Sequence, residues 1–209
     1  MNPDKFKSKS TKYFNKVALQ NRTIQEPALC YDILMQYLQS VPLHGCLADI
    51  SCGTGNMLKL ISDSHPKDLS LYGVDLSPKS VEVAKAKLDG HATLLVGDVE
   101  SIPLEDASMD VVLNMHSFHH YPRPIHALSE IKRILKDDGV LYFVENDFRH
   151  LNRIRANLML TLMNHKKGDV KKYSSRQLQK MLLAAGLKPL LVERIAKHSV
   201  LFVCEKRYV

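Results

Sequence analysis

A glycine-containing turn between an apolar run and an amphipathic segment constrains the fold more than any other feature of the sequence. The turn, residues 49–55 (DISCGTG), follows apolar residues 46–48 and precedes a helical pattern that begins near residue 57. Glycine at 53 and 55 permits backbone conformations closed to other residues, and the free N–H groups of the new helix point into the same space. The stretch predicts a strand, a turn and a helix N-terminus that bind a nucleotide-type cofactor.

Two common glycine-rich motifs match this turn poorly. A dinucleotide fingerprint that starts at Gly53 requires glycine at position 58, where this chain has Leu58. A phosphate-binding P-loop requires Gly-Lys-Ser/Thr, but Lys59 is followed by Leu60 and has no such glycine before it. The first motif is disfavoured and the second is excluded.

Apolar runs alternate with amphipathic helical patterns along most of the chain. Near-continuous apolar strands of this kind indicate a parallel sheet covered on both faces. The last two predicted strands, 188–194 and 199–205, are separated by too few residues for a crossover, so they must be antiparallel. The sequence predicts an α/β three-layer sandwich with a C-terminal antiparallel hairpin. The other predicted strands are 46–50, 69–75, 92–96, 109–115 and 140–145.

Polar residues follow several of these strands. Asp49, Asp75 and Asp98 stand at predicted carboxyl ends, as does the segment 114–120. Ligands of open α/β sheets bind at that edge, so we expect one pocket. An acid 22 residues after Gly53 suits the two hydroxyls of a ribose, which favours Asp75 as a ligand residue over a surface acid.

Length and composition predict one globular domain. The chain has 209 residues, 45% of them hydrophobic, and we expect N-terminal helices at about 13–40, a frayed segment at 1–12 and a cap at about 146–172. Its apolar runs are far shorter than the roughly 18 residues of a membrane span. The N-terminal residues do not resemble a signal peptide, so a cytoplasmic location is expected. Four single cysteines without a C-x-x-C pair predict reduced thiols and no metal.

The formal net charge is +7, and the basic residues are unevenly distributed. A lysine-rich solvated surface is the favoured interpretation, and binding to RNA is the alternative. The two basic clusters are Lys5, Lys7, Lys9, Lys12 and Lys16, and then Lys166, Lys167, Lys171, Lys172 and Arg176.

Beyond the turn, six blocks of sequence in a fixed order resemble one family. The chain is similar to the class I S-adenosylmethionine-dependent methyltransferases, in particular the small-molecule group that includes the ubiquinone and menaquinone biosynthesis enzymes. The resemblance covers roughly residues 13–205. Its blocks are DISCGTG (49–55), GVDLSPKSVEVAK (73–85), GDVESIPLEDASMDVV (97–112), HSFHHY (116–121), EIKRILKDDGVLYFVE (130–145) and YSSRQLQKMLLAAGL (173–187).

The resemblance implies a Rossmann-like sheet of order 3-2-1-4-5-7-6 and a cofactor, S-adenosylmethionine, that leaves as S-adenosylhomocysteine. Asp49 and the 51–55 backbone would hold its methionine part, Asp75 its ribose and Asp98 its adenine amino group. Ser51 departs from the family pattern, which commonly has glycine there. The implied cofactor residues are Asp49, Ser51, Cys52, Gly53, Gly55, Asp75, Leu76, Asp98, Val99, Asn114 and Met115.

Methyl transfer from a sulfonium requires positioning and exclusion of water, and a base only where the acceptor must lose a proton. His116, His119 and His120 follow the fourth strand, where such a base would reach. The alternative is that His119 and His120 are packing residues, because both enter the pocket only if the loop is irregular.

A small-molecule acceptor is favoured. Asn114 is followed by Met115 rather than by the Pro-Pro-Tyr/Phe of nucleic-acid amine methyltransferases. Arg149, Arg153 and Arg155 in the cap segment make an anionic acceptor a hypothesis, and basic residues on the solvent side of a cap helix are the favoured alternative. The alternatives are an RNA methyltransferase and a non-catalytic S-adenosylmethionine-binding protein, and a cavity mouth plugged by residues 1–20 or 146–172 would favour the latter. The sequence leaves the oligomeric state open.

Overall fold

The computed structural model describes residues 2–20, 28–41, 43–64, 69–148, 150–162 and 168–207. Within these ranges seven strands form one sheet in the order β3-β2-β1-β4-β5-β7-β6. The predicted strand order and fold class are confirmed. The strands are β1 (Gly45–Ile50), β2 (Leu69–Asp75), β3 (Thr93–Val96), β4 (Met109–Met115), β5 (Leu135–Asn146), β6 (Leu187–Ala196) and β7 (Ser199–Lys206).

The pairing of the strands creates the crevice that the sequence predicts. β1 pairs in parallel with both β2 and β4, while β7 pairs antiparallel with β5 and β6. The chain proceeds from β1 to β2 on one side and later returns to β4 on the other. The strand order therefore reverses between β1 and β4, where ligands of open α/β sheets bind.

Both faces of the sheet are covered by helices. Ile50 and Phe143 are buried in one apolar cluster, and Leu47 and Leu113 are buried in a second. This two-sided burial explains the near-continuous apolar strands. The helices are α1 (Pro3–Leu19), α2 (Ala28–Gln39), α3 (Asn56–Ser64), α4 (Pro78–Leu88), α5 (Pro124–Ile134), α6 (His150–Leu162), α7 (Ser175–Ala184) and a short 3₁₀ helix (Phe118–His120).

The N-terminus is more ordered than predicted. The expectation of a frayed segment at 1–12 is wrong, because α1 begins at Pro3, where the Asn2 side chain accepts a hydrogen bond from the Asp4 N–H. α1 packs against α4 and the 3₁₀ helix. Its order therefore depends on tertiary contacts, which the polar composition of the segment does not reveal.

The junction between α5 and β5 also differs from the prediction. The sequence predicts that the helix stops at 137–139, but α5 ends at Ile134 and β5 begins at Leu135. Leu135 pairs with Met109 of β4, and the register shifts before Val140. Lys136 Nζ donates to both oxygens of Asp110 at 2.8 Å, which holds this extension against the sheet.

The described part of the predicted cap segment contributes to the pocket through its two ends and not through its helix. Of the described residues in 146–172, Asn146, Asp169 and Lys172 line the cavity, and α6 contributes no lining residue. Leu151 and Leu162 of α6 are 74% and 75% exposed. α1 forms part of the cavity wall, since seven of its residues line the cavity. None of the described helices combines the length and apolar character needed to cross a membrane.

Candidate active site

A cavity of about 440 Å³ lies at the carboxyl ends of the parallel strands. Its volume is within the range of roughly 300–1,000 Å³ that is typical of ligand pockets. Asp49, Gly55 and Asn114 are not among the described residues on its surface. The predicted site residues that line it are Ser51, Cys52, Gly53, Asp75, Leu76, Asp98, Val99, Met115, His116, His119 and His120.

The turn after β1 brings main-chain atoms to the cavity. Ser51 and Gly53 have positive φ values of 68° and 55°, and the Ser51 and Cys52 N–H groups donate to the Val74 carbonyl. A Cβ atom added to Gly53 would meet nothing within 4 Å, so the cavity side of the turn is open. Ser51 tolerates a left-handed conformation that glycine usually adopts, and its Oγ lies 2.8 Å from the Tyr121 hydroxyl.

Asp75 is held rigidly at the end of β2. Its carboxylate accepts hydrogen bonds from the Gly53 N–H at 2.9 Å and the Ser77 N–H at 2.8 Å. Burial raises the pKa of Asp75, and these two N–H groups act in the opposite direction. A carboxylate fixed by backbone at a cavity wall is suited to accept hydrogen bonds from ligand hydroxyls.

Asp98, after β3, is held in place by protein partners and also lines the cavity. One carboxylate oxygen accepts from the Glu100 N–H at 2.9 Å, and the other lies 2.6 Å from Lys7 Nζ. Lys7 also contacts the buried carboxylate of Glu100. These ion pairs fasten α1 over the β3 side of the cavity.

α1 forms one wall of the cavity. Asn15 Oδ1 accepts hydrogen bonds from Ser77 Oγ at 2.7 Å and from the Lys79 N–H at 3.2 Å. The Phe14 ring meets the His120 ring edge-on, with centroids 5.2 Å apart. The helix therefore links the region of Asp75 to that of the histidines.

The three histidines enter the cavity because the segment after β4 is irregular. His116 has a φ of 44°, and residues 118–120 form the 3₁₀ helix. His116 Nε2 is buried without a hydrogen-bond partner among the described residues. Burial lowers the pKa of His116, and the nearby Glu145 charge only partly opposes this shift. The ring is therefore neutral at pH 7.

His119 lines the cavity and pairs with Glu145, which is buried behind the cavity wall. His119 Nδ1 lies 3.0 Å from Glu145 Oε1, and the His119 N–H donates to Oε2 at 3.2 Å. Burial alone would raise the pKa of Glu145, but the His119 charge and hydrogen bond, with the Asn146 N–H, lower it to about 2. Burial lowers the pKa of His120 to about 3.

Comparison with known proteins identifies the family. A model described as a methyltransferase domain matches residues 48–143, which include the end of β1, all of β2 to β4, most of β5 and the turn at Gly53. Residues 48–143 form a class I methyltransferase domain. The resemblance predicted from the sequence is thereby confirmed, and S-adenosylmethionine is the cofactor of this class.

Two curated relatives illustrate the similarity to this methyltransferase domain. The ubiquinone/menaquinone biosynthesis C-methyltransferase UbiE of Citrifermentans bemidjiense is 30% identical over 106 residues, which are 48% of this chain and 45% of that protein. The phthiotriol/phenolphthiotriol dimycocerosates methyltransferase of Mycobacterium tuberculosis is 35% identical over 111 residues, 52% of this chain and 39% of that protein. The matched region thus spans less than half the length of these relatives.

A solved structure supports the fold over nearly the whole chain. A chain from the complex between the Haloferax volcanii Trm112 methyltransferase activator and a methyltransferase superposes with a TM-score of 0.79. The similarity covers 96% of this chain and 98% of that chain at 21% identity. At this identity the comparison supports the fold alone.

The methyltransferase domain contains a hydroxyl network that the sequence did not predict. Asn114 Nδ2 donates to the Ile50 carbonyl at 2.9 Å and lies within 3.0 Å of both Ser117 Oγ and the Tyr121 hydroxyl. Burial raises the pKa of Tyr121 to about 12, so its hydroxyl remains protonated. The network connects the end of β4 to the turn after β1.

Cys52 is placed for packing within this methyltransferase domain. It is 8% exposed, and burial, followed by the charges of Asp49 and Asp75, raises the pKa of its thiol well above the usual value. A thiol held in its neutral form is a poor nucleophile.

Several further residues of the site were missed in the sequence. Glu145 lies at the carboxyl end of β5, as Asp49 and Asp75 lie at the carboxyl ends of β1 and β2. The expectation that polar residues at these strand ends belong to the site, applied to β5, would have found Glu145. Lys7 and Asp169 lie in segments without a strand-end signal, and only the tertiary structure brings them to the cavity.

Proposed function

We propose that the protein transfers a methyl group from S-adenosylmethionine to a small-molecule acceptor, and that residues 1–209 form a single methyltransferase domain. The observation that carries this proposal is the Asp75 carboxylate, held by the Gly53 and Ser77 N–H groups beside an open glycine turn. An open glycine turn, a fixed acid and a 440 Å³ cavity fit a cofactor with a ribose and an amino-acid tail.

Each part of the cofactor has residues of matching chemistry. Asp75 would accept from the ribose hydroxyls, and the Ser51–Gly53 main chain would hold the methionine part with Asp49 behind it. Leu76 and Val99 would cover the adenine ring, and Asp98 would accept from its amino group. Met115 would form part of the cofactor-binding surface. Gly55 and Asn114 would support that surface from behind the cavity wall.

When bound, S-adenosylmethionine supplies an electrophilic methyl group on a sulfonium. The protein would orient the acceptor in line with that group, and α1 would exclude water from the cavity. Where the acceptor must lose a proton, His116 Nε2 would accept it, because this buried atom is neutral and without a partner among the described residues. His119 and His120 are the less favoured bases.

The acceptor region is lined by Lys172 as well as by the histidines. Lys172 supports an anionic acceptor, although its ammonium lies 3.2 Å from Asp169. Arg153 and Arg155 on α6 are not among the described lining residues, and Arg149 lies outside the described residues. The two relatives are named for ubiquinone/menaquinone biosynthesis and for phthiotriol/phenolphthiotriol dimycocerosates, which supports a small organic acceptor.

Calorimetry with S-adenosylhomocysteine tests the proposal. The wild-type chain should bind it, and Asp75→Ala should weaken binding at least ~100-fold, because charge-assisted hydrogen bonds are worth about 1.5–3 kcal/mol each. Asp63→Ala changes an exposed acid in a surface ion pair and should bind like the wild type. Absence of binding heat in the folded wild type would reject the proposal.

A second candidate is a protein that binds S-adenosylmethionine without catalysis. The placement of α1 across the cavity favours it, since seven lining residues belong to α1. A thermal-shift screen of acceptors with S-adenosylhomocysteine present, followed by measurement of product release, separates the two functions. An RNA acceptor is less favoured because Lys7 and Lys172 are in ion pairs, and failure to retain RNA at low salt would reject it.

A further inference from the structure

Three side chains with metal-binding atoms meet at one end of the cavity. His119 and His120 belong to the 3₁₀ helix, and Asp169 comes from the segment after α6. One ligand atom from each lies within 4.8 Å of the others. His119 Nε2 and His120 Nδ1 are each 3.5 Å from Asp169 Oδ1. Atoms that share one cation at about 2.0–2.2 Å stand roughly 3.0–3.5 Å apart, so the spacing suits a common ion.

The hydrogen bonds of His119 direct its second nitrogen toward this point. Nδ1 donates to the buried Glu145 carboxylate, at 3.0 Å from Oε1 and 3.1 Å from Oε2. With Nδ1 as the donor, the form of the ring that ligates a metal carries its lone pair on Nε2, which lies 3.5 Å from Asp169 Oδ1. A carboxylate behind a ligating histidine fixes the tautomer and orientation of the ring in metal sites.

His120 has the complementary arrangement. Its ring interacts with the Gly168 backbone, while Nδ1 is buried and has no hydrogen-bond partner among the residues that the structure describes. A buried nitrogen without a partner is costly unless it has a ligand. The two rings are packed with centroids 4.2 Å apart, so their ligand atoms approach the same space.

The segment that carries Asp169 is held in place by its neighbours. The Val170 N–H donates to the His119 carbonyl at 2.8 Å, and the Lys172 N–H donates to Asn157 Oδ1 at 2.8 Å. A Cβ atom on Gly168 would lie 2.8 Å from Ser10 of α1, so this segment touches α1 closely. The three ligand atoms are thus pre-positioned by the fold.

We propose that His119, His120 and Asp169 bind one divalent transition-metal ion of the Zn²⁺, Co²⁺ or Fe²⁺ class beside the methyl-transfer cavity. Two imidazoles and one carboxylate favour these ions over Mg²⁺ and Ca²⁺, which prefer oxygen ligands. Three protein ligands leave coordination positions open, and all three residues line the cavity. The site does not depend on methyl transfer, but an oxygen of an acceptor would reach the ion.

Lys172 gives the proposal a sharp test. Its Nζ lies 3.2 Å from Asp169 Oδ1, the oxygen that faces both histidines. A bound cation must compete with this ammonium for the same carboxylate. Removal of the ammonium should therefore strengthen metal binding, whereas removal of a ligand should weaken it.

The experiment uses the full chain, stripped with a chelator and free of any affinity tag. Co²⁺ is added and followed by the visible absorption of the bound ion, and Zn²⁺ affinity is measured by competition with a chromophoric chelator. We expect 1:1 binding, with affinity lowered at least ~10-fold in His120→Ala and in Asp169→Asn. Lys172→Met should bind several-fold more tightly, and His91→Ala, at an exposed position, should equal the wild type.

Thermal unfolding with and without Zn²⁺ checks that each variant is folded, since an ion specific to the folded state raises the midpoint. If a variant of a ligand residue does not fold, the Zn²⁺ affinities of the wild type and Lys172→Met still test the proposal. The proposal is overturned if Co²⁺ shows no protein-dependent absorption, or if Lys172→Met leaves the Zn²⁺ affinity unchanged.

Discussion

The two halves of the cavity are built in different ways. In the half at the ends of β1 to β3, the ligand-facing groups are a turn of main chain with left-handed residues and one acid held by N–H groups. In the half at the ends of β4 and β5, they are side chains of Tyr121, His116 and the His119–Glu145 pair. The first half follows from local backbone rules, while the second depends on contacts between distant residues.

The two halves are joined by the hydrogen bond between Ser51 Oγ and the Tyr121 hydroxyl and by the one that Asn114 Nδ2 donates to the Ile50 carbonyl. Because the β4–β5 half consists of buried side chains with distant partners, substitutions there should affect catalysis and stability most. Substitutions at Tyr121 and Ser51, where the halves meet, should have smaller effects. The following predictions are arranged in that order.

The largest effect is expected at His116. If its neutral Nε2 accepts the acceptor's proton, His116→Gln should lower kcat by about 10²-fold or more, which is the lower range for general-base catalysis. Because burial lowers its pKa below 6.5, the active neutral form persists at pH 7–8 and is lost only as the pH falls through that lowered pKa. The rate should be flat above pH 6.5 and decline below it.

The measurement is methyl transfer to an acceptor found by the screen, followed across pH, with His91→Gln as the control at an exposed histidine. An unchanged rate in His116→Gln, or a rate that still rises through pH 7–8, would contradict the assignment of the base.

Glu145→Gln should destabilise the protein strongly. Glu145 is 1% exposed, and its carboxylate accepts hydrogen bonds from His119 Nδ1, the His119 N–H and the Asn146 N–H, so weakening these bonds in the buried site should cost about 1.5–3 kcal/mol. Urea unfolding with a chelator present measures the free energy of unfolding, and Glu105→Gln is the exposed control. A loss below about 1 kcal/mol would show that the pair does not support the β4–β5 half.

Tyr121→Phe tests the hydroxyl network that joins the halves. The buried hydroxyl lies within hydrogen-bond distance of Ser51, Asn114 and Ser117, so its removal should cost about 1–3 kcal/mol of unfolding free energy. We also expect weaker binding of S-adenosylhomocysteine, because Ser51 belongs to the cofactor turn. Tyr72→Phe, at a half-buried tyrosine, should change stability by less than about 0.5 kcal/mol. Equal effects of the two changes would argue against the network.

The smallest effect is expected at Ser51, where the hydrogen bond to Tyr121 stabilises the fold and the left-handed backbone conformation destabilises it. Ser51→Ala loses the hydrogen bond to Tyr121 and keeps the φ of 68°, whereas Ser51→Gly loses the bond but relieves the left-handed strain. The glycine variant should be more stable than the alanine variant by about 1 kcal/mol. Equal unfolding free energies would mean that the strain at this position is not significant.

Much of the β1–β3 half could be predicted from local pattern. Asp75 and the turn at Gly53 follow from the rule that parallel strands direct their carboxyl ends, and the turns after them, to one edge. The same rule brought His116, His119 and His120 to the cavity. It could not predict the hydrogen bonds of Tyr121 or the approach of Asp169, because these join residues that are distant in the chain and have no shared periodicity.

The sequence by itself determined the alternation of strands and helices, the hairpin at the end of the sheet and the glycine turn with Asp75, because apolar periodicity and turn chemistry act over a few residues. The order of the strands came from the resemblance to the methyltransferase family. Only the tertiary structure decided that α1 rather than α6 covers the cavity, and that Lys7 fastens it there. It also decided that Asp169 meets His119 and His120. The positions of α1, Lys7 and Asp169 depend on packing between segments that are distant in the chain, and local patterns of residue types do not predict such packing.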